Sequence, residues 1–420
     1  MKSCLLVAVL GMLVFFLPAN AMQTQPSQQK LEVQGDLKLG ETQTRTLVPD
    51  VIHVWNLALE KGQYFAVEVE HKDIDLVVRI VDSTGIRKGE FDSPTGGIGT
   101  EMARGVVGTA GTWKIEILSS EADLPGSYNI KWLTLRKATA QDRQIAEADS
   151  LDNLAETYRT QREYAKAETL YTRSLTIREK AFGSEHIEVA NSIFNLAQNY
   201  YAQRQYANAD SLFKRSLSIR EKILGPSHPE IVLNLEKLFT IRFDQGKYPE
   251  AERFVKRALI IDEKAKGTDH PDVAANFFNL AENYNQQGKY AKAESLYKQS
   301  LLVYEKFFDK DHSKVAENLN GLAVLYKRQG KYTEAEPLYE RSLAIFEKTL
   351  GPNHTNVAIG LNNLAQFYKI TGKHIEAEKL FSKDKRKDAK PRSPKHCQQP
   401  YRLRTIIQLF GQISRSRTDF

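Results

Sequence analysis

Five histidines, His186, His228, His270, His312 and His354, recur every 42 residues, and imidazole is the side chain proteins most often use to bind a transition metal. A shared ion needs its ligand atoms about 2 Å away. Each histidine stands in its own short polar stretch, such as "GPSHPE" or "GTDHPD", with a whole helical hairpin before the next, so they read as loop or helix-start residues. Pro229 and Pro271, directly after two of them, suit a first helical turn, where a missing N–H costs nothing. Five Glu-Lys pairs, from Glu179-Lys180 to Glu347-Lys348, hold groups fit for acid and base work, but at helix ends the lysine complements the dipole. His396 and Cys397 are mere sequence neighbours in a Lys/Pro-rich stretch, not a base and nucleophile brought together by a fold. Asp73, Asp75 and Asp82 flank a strand and lack the dense loop spacing of a calcium site. No phosphate-binding glycine loop, nucleophile elbow or cysteine cluster is present, so the expectation is a protein that is not an enzyme and has no catalytic residues, metal or cofactor.

The elements that carry these residues are repeated. Near-copies of "GKYAKAESLYKQSL" occur six times, with Tyr164, Tyr206, Tyr248, Tyr290, Tyr332 and His374 in step. A fixed period of this size marks stacked supersecondary units, none of which can bury its apolar face alone. In "PDVAANFFNLAENYNQQ" the residues Val273, Phe277, Leu280, Ala281 and Tyr284 form one helical stripe, ended by Gly288. A second stripe runs through Ala293, Leu296, Tyr297, Leu301 and Tyr304. The turn between them is short, so the two helices lie antiparallel. Ala167, Ala209, Ala251, Ala293, Ala335 and Ala377 hold one position without exception, which implies a helix crossing too close for a larger side chain. Six such units occupy residues 138–388.

Before the repeats the apolar period is two. Trp55/Leu57/Leu59, Phe65/Val67/Val69, Leu76/Val78/Ile80, Trp113/Ile115/Ile117 and Tyr128/Ile130/Trp132 each share a face, and Gly-containing turns separate them. Six to eight short strands without a helix indicate a small antiparallel β-sandwich over residues 31–137, so the fold class is α+β multidomain, a sandwich followed by an all-α solenoid.

The ends of the chain differ from both. Residues 1–21 hold one Lys, an apolar run from Cys4 to Leu17, Pro18 and the triplet Ala19-Asn20-Ala21, which reads as a secretory signal cleaved after Ala21. That run is too short for a stable membrane span. Residues 22–30 form a polar linker. The formal charge of +7 belongs to the tail, since residues 383–420 hold eleven Lys or Arg against three Asp. Residues 389–420 read as a solvated basic tail, and an exported protein seldom meets nucleic acid, so none is expected as a partner.

Two resemblances add to this reading. "GETQTRTL", "KGQYFAVEVE", "DIDLVVRIVDSTG" and "GTWKIEI" resemble strands of the pre-peptidase C-terminal type of β-sandwich found on exported bacterial proteins, some of which bind calcium or extracellular polymers. The pattern L-x-x-L-A-x-x-Y, with "LNNLAQFY", "GKYTEAEPLYERSLAIFEK" and "LGPNHTNVA", resembles the tetratricopeptide array of kinesin light chain type. Unit three departs from it at Lys237, Phe239 and Arg242. The resemblance implies that first helices line a concave groove where Asn153, Asn195, Asn279 and Asn363 bond the main chain of a peptide. Asn320 and Asn362 stand one place earlier, Lys237 and Gly321 are departures, and Tyr201, Phe243, Lys327, Arg328 and Lys369 add aromatic and cationic contacts. Asp152 and Glu156 occupy the places where a clamp for acidic chaperone tails has Lys and Asn. The expected function is an exported, periplasmic or secreted, scaffold that binds protein or peptide partners. The alternatives are the remnant arm of a caspase-like protease chain and a polymer-binding module acting through the sandwich.

Overall fold

The computed structural model describes residues 30–72, 74–91, 98–119 and 125–385. The expected signal, most of the linker, the tail from 389, Asp73, His396 and Cys397 lie outside the described residues.

Nine strands form the first part: β1 Lys30–Asp36, β2 Thr42–Leu47, β3 Val51–Leu59, β4 Gln63–Lys72, β5 Leu76–Val81, β6 Arg87–Phe91, β7 Ile98–Val106, β8 Gly111–Ser119 and β9 Gly126–Lys137. They make two facing sheets, in the order β1-β3-β8-β5-β6 and β2-β9-β4-β7. The alternating residues named from the sequence meet between them. Phe65, Val67, Val69, Leu57, Leu76, Val78, Ile115, Ile117 and Ile130 lose all access to solvent. All three tryptophans are buried, and each indole N–H keeps an acceptor: Tyr128 Oη for Trp55 at 3.1 Å, the Thr109 carbonyl for Trp113 and the Thr134 carbonyl for Trp132, both at 2.9 Å. One pairing departs from the antiparallel expectation. β1 lies parallel to β3 because β2, between them in sequence, crosses to the other sheet and returns the chain in its original direction.

Twelve helices follow as six antiparallel pairs: α1 Ala140–Thr160 with α2 Tyr164–Phe182, α3 Ile187–Ala202 with α4 Tyr206–Leu224, α5 Val232–Asp244 with α6 Tyr248–Lys266, α7 Pro271–Gln286 with α8 Tyr290–Phe307, α9 Ser313–Arg328 with α10 Tyr332–Leu350, and α11 Thr355–Ile370 with α12 His374–Lys385. A single 3-10 turn, Pro229–Ile231, leads into α5. The invariant alanines Ala167, Ala209, Ala251, Ala293 and Ala335 have no exposed surface, as a close crossing requires. Two turns further on, the hydroxyls of Ser174, Ser216, Ser300 and Ser342 donate to the carbonyls of Ala148, Ala190, Ala274 and Ala316 at 2.7–3.2 Å, pinning each second helix to its own first helix. Unit three has Ala258 in this place and forgoes the bond.

The sandwich is fastened to the array. The Arg104 guanidinium on β7, nearly buried, reaches Asp149 on α1 (3.1 Å) and Glu188 on α3 (2.7 and 3.0 Å). Those carboxylates overcome the cost of burying the charge and hold its pKa well above the ordinary value. Arg136 at the end of β9 bonds Asp142, which also closes the capping box that starts α1.

Candidate peptide-binding groove

The repeated histidines begin the first helices. His186, His228, His270, His312 and His354 are each an N-cap, and Nδ1 accepts the N–H two residues on, from Glu188, Glu230, Asp272, Lys314 and Asn356, at 3.1–3.3 Å. Imidazole nitrogen thus does the work more often given to Ser or Asp oxygen. Among the described residues no group of three or more His, Cys, Asp or Glu is placed to hold a metal. Asp82 Oδ1 accepts from the Thr84 hydroxyl (2.6 Å) and from the Thr84 and Ile86 N–H groups (2.9 and 3.0 Å), and Oδ2 faces Lys88 at 2.9 Å. It organises a hairpin turn, and these donors, the Thr84 hydroxyl first, hold its pKa well below the usual carboxylate range.

Bridges between units run along both layers of helices. First helices are joined by side chains of different length: Asn363 on α11 donates to Asn320 on α9 at 2.9 Å, and Arg328 at the end of α9 reaches the Asn285 carbonyl on α7 at 3.2 Å. Tyr201 on α3 donates to Asp244 on α5 at 2.9 Å. Second helices are spanned by long ones, Arg215 to Glu179, Arg257 to Glu221 and Arg341 to Glu305. The layer of first helices is the wall on which the sequence places the expected groove.

Along that wall the anticipated residues divide into engaged and unengaged. Asn153 turns back to the Asp149 carbonyl of its own helix at 3.0 Å. Asn320 is buried as the acceptor for Asn363, and Asn362 accepts from Gln366 at 3.3 Å. Phe243 stacks into the wall between Phe239 and Tyr248, ring centroids 5.5 Å away in each case. Arg328 is spent on Asn285 and Gln286. Lys327, partly buried above the Tyr339 ring, has its pKa lowered by burial and then by Arg328, while Lys369 is exposed. Asn195 and Asn279 are partly buried and make no hydrogen bond among the described residues. Between them in the same row stands Lys237, its pKa lowered by burial. Gly321, where other units have Asn or Lys, has a packing reason: a Cβ there would lie 2.8 Å from the Tyr297 ring and 3.1 Å from that of Phe278.

The amino-terminal end of the wall is a network of charges. Asp149 and Asp152 both pair with Arg178, which is 5% exposed and also donates to Ser174 and Ser192, while Glu156 pairs with Arg159 and accepts from Tyr171. Sequence reasoning missed this network, and it missed Asn199 and Asn283, which are fully buried and donate at 3.0 Å to the Tyr164 and Tyr248 carbonyls that open the preceding second helices. Their repeat across two units was the available signal.

Comparison with known proteins agrees with the helical part. The family model described as tetratricopeptide repeat matches residues 144–222, 231–306 and 314–383. The chain is similar to a Podosopora anserina crystal structure of kinesin light chain nearly identical TPR-like repeats, at 27% identity over 48% of this chain and 95% of that one, TM-score 0.44. It is also similar to BtubC (BKLC) from P. vanneervenii, at 21% identity over 62% and 98% of the two chains, TM-score 0.43, and to the apo form of RapI, at 15% identity over 57% and 97%, TM-score 0.45. No curated protein matches the chain. With six helical hairpins in register and a family model that accounts for more than half of its residues, the chain belongs to the tetratricopeptide repeat family.

Proposed function

We infer that the protein is an exported scaffold that holds an extended segment of a partner protein along its wall of first helices. The observation that carries this reading is the pair of unengaged amides, Asn195 and Asn279, on a wall whose other asparagines bond within the chain. A half-buried amide without a protein partner is left to water, and a peptide backbone supplies both a donor and an acceptor that can take the water's place. Glu236 and Lys237 lie between the two amides, so the same stretch offers charge of both signs to side chains of the bound segment. Asp149 and Glu188 are already taken by Arg104 of the sandwich, which leaves the wall from α3 onward for the partner. Export rests on the signal-like pattern of residues 1–21.

The double variant Asn195→Ala/Asn279→Ala tests the reading. Partners captured from periplasm or medium by the intact protein are expected to be lost or weakened at least tenfold, with helicity and melting temperature preserved. Full retention of the same partners by the variant contradicts the groove.

A further inference from the structure

A cleft between α4, α5 and α6 coincides with the departures of unit three. In units two, four, five and six the last tyrosine of the first-helix motif, Tyr200, Tyr284, Tyr326 or Tyr368, fits against the preceding second helix and donates to Glu168, Glu252, Glu294 or Glu340 at 2.7–3.0 Å. Unit three has Arg242 in that place, and the carboxylate in the place of Glu168, Glu252 and Glu294 is the shorter Asp210. Arg242 bonds Asp210 at 2.7 Å and Glu250 at 2.9 Å, but a guanidinium does not fill the volume of a phenol ring. Between α4 and α6 a half-open cleft of about 340 Å³ results, lined by Lys214, Arg242, Glu250, Arg253, Phe254 and Arg257.

Four of the six lining residues are cations and one is an anion. Lys214 shares Asp210 at 2.9 Å, and Arg257 holds Glu221 and the Pro226 carbonyl. Arg253 has no ion-pair or hydrogen-bond partner among the described residues. Its counterparts are Thr169, Ser211, Ser295 and Pro337 in units one, two, four and five and Lys379 in unit six, so within the first five units the extra charge occurs only at this cleft. Arg242 also reaches the Gln245 amide oxygen at 3.4 Å, and each guanidinium still has N–H groups beyond those its partners use, in the forked geometry that matches a tetrahedral oxyanion. Phe254 supplies an apolar wall, and the volume suits a molecule the size of a sugar ester.

We propose that this cleft binds a small oxyanion ester, a sugar phosphate or a sugar sulfate, with Arg253 and Arg242 as its main contacts. Lys214, Glu250, Arg253 and Arg257 are on the second helices α4 and α6 and Arg242 is on α5, and the proposal does not depend on the groove reading.

Calorimetric titration of the full chain at low salt with glucose 6-phosphate, glucose 6-sulfate and inorganic phosphate tests it. Arg253→Ser introduces the residue of neighbouring units, and Asp210→Glu/Arg242→Tyr restores the pair used elsewhere in the array, so both variants keep the packing of a normal unit. The expected result is saturable binding of at least one ester, stronger than inorganic phosphate, weakened at least tenfold in both variants and unchanged in Asn195→Ala/Asn279→Ala. The better ester identifies the source of the anion. Absence of saturable binding by all three probes, or equal binding by the variants, overturns the proposal.

Discussion

At the scale of residues, the repeat works as an internal control, because each position is tried six times in one chain. The residue after the first helix adopts a left-handed conformation in every unit, and in units three to six it is Gly. Units one and two place Arg162 (φ 64°) and Arg204 (φ 61°) there instead, a conformation that crowds Cβ against the following carbonyl. Arg204 is exposed, and its side chain has no partner among the described residues. Arg204→Gly is therefore expected to stabilise the chain by about 1 kcal/mol, the relief of strain outweighing the added freedom of the unfolded chain. A urea midpoint at or below that of the original protein contradicts this account. Arg220, 1% exposed, shows the same logic at a buried position. Its unit-one counterpart Arg178 has Asp149 and Asp152, but Arg220 bonds the neutral groups of Asn191, Asn234 and Ser216 and lies over the Phe194 ring, and burial lowers its pKa to about 10.

At the scale of elements, the junction of α5, α6 and α7 is expected to respond to pH. Asp262 on α6, 1% exposed, accepts from Asn276 on α7 at 2.7 Å and lies 3.7 Å from Lys266, with Asp272 of α7 close by. Burial raises its pKa to about 6, against the attraction of Lys266. Glu236 on α5 is raised to about 7, by burial first and then by Asp262, with Lys237 and Lys266 opposing. Both folded-state values exceed the unfolded ones, so the stabilisation they give is complete below about pH 4 and disappears as pH rises through 6 to 7. Asp262→Asn removes one of the two groups. The variant is expected to lose less stability than the original protein between pH 5 and pH 8, by on the order of 1–3 kcal/mol. Parallel pH profiles of unfolding for the two proteins exclude this linkage.

At the scale of the whole molecule, the sequence made the architecture readable because both of its periods are strong. Alternation put Trp55, Leu57 and Leu59 on the inward face of β3, and the 42-residue step located the alanine crossing in every unit. The repeat of helices was also enough to identify the family. Less readable was whatever depends on contacts across the array. That β1 runs parallel to β3 follows from a crossover that no local pattern encodes, and the Arg104 joint connects residues 45 and 84 positions apart. The groove was partly legible. The row of asparagines could be named, but which of them remain unengaged depends on partners such as Asn363 for Asn320, and on the approach of Phe278 that excludes a side chain at 321.

The central claim, that a partner lies on the wall of first helices, is tested most directly by photocrosslinking in the cells that make the protein. A benzophenone amino acid is placed at Asn195 or Lys369 on the first helices, or at Gln299, exposed on α8. The account expects the same partner to be covalently trapped from positions 195 and 369, with the crosslinked residues forming one continuous segment, and little or nothing from 299. Equal trapping at 299, or trapping there alone, contradicts it.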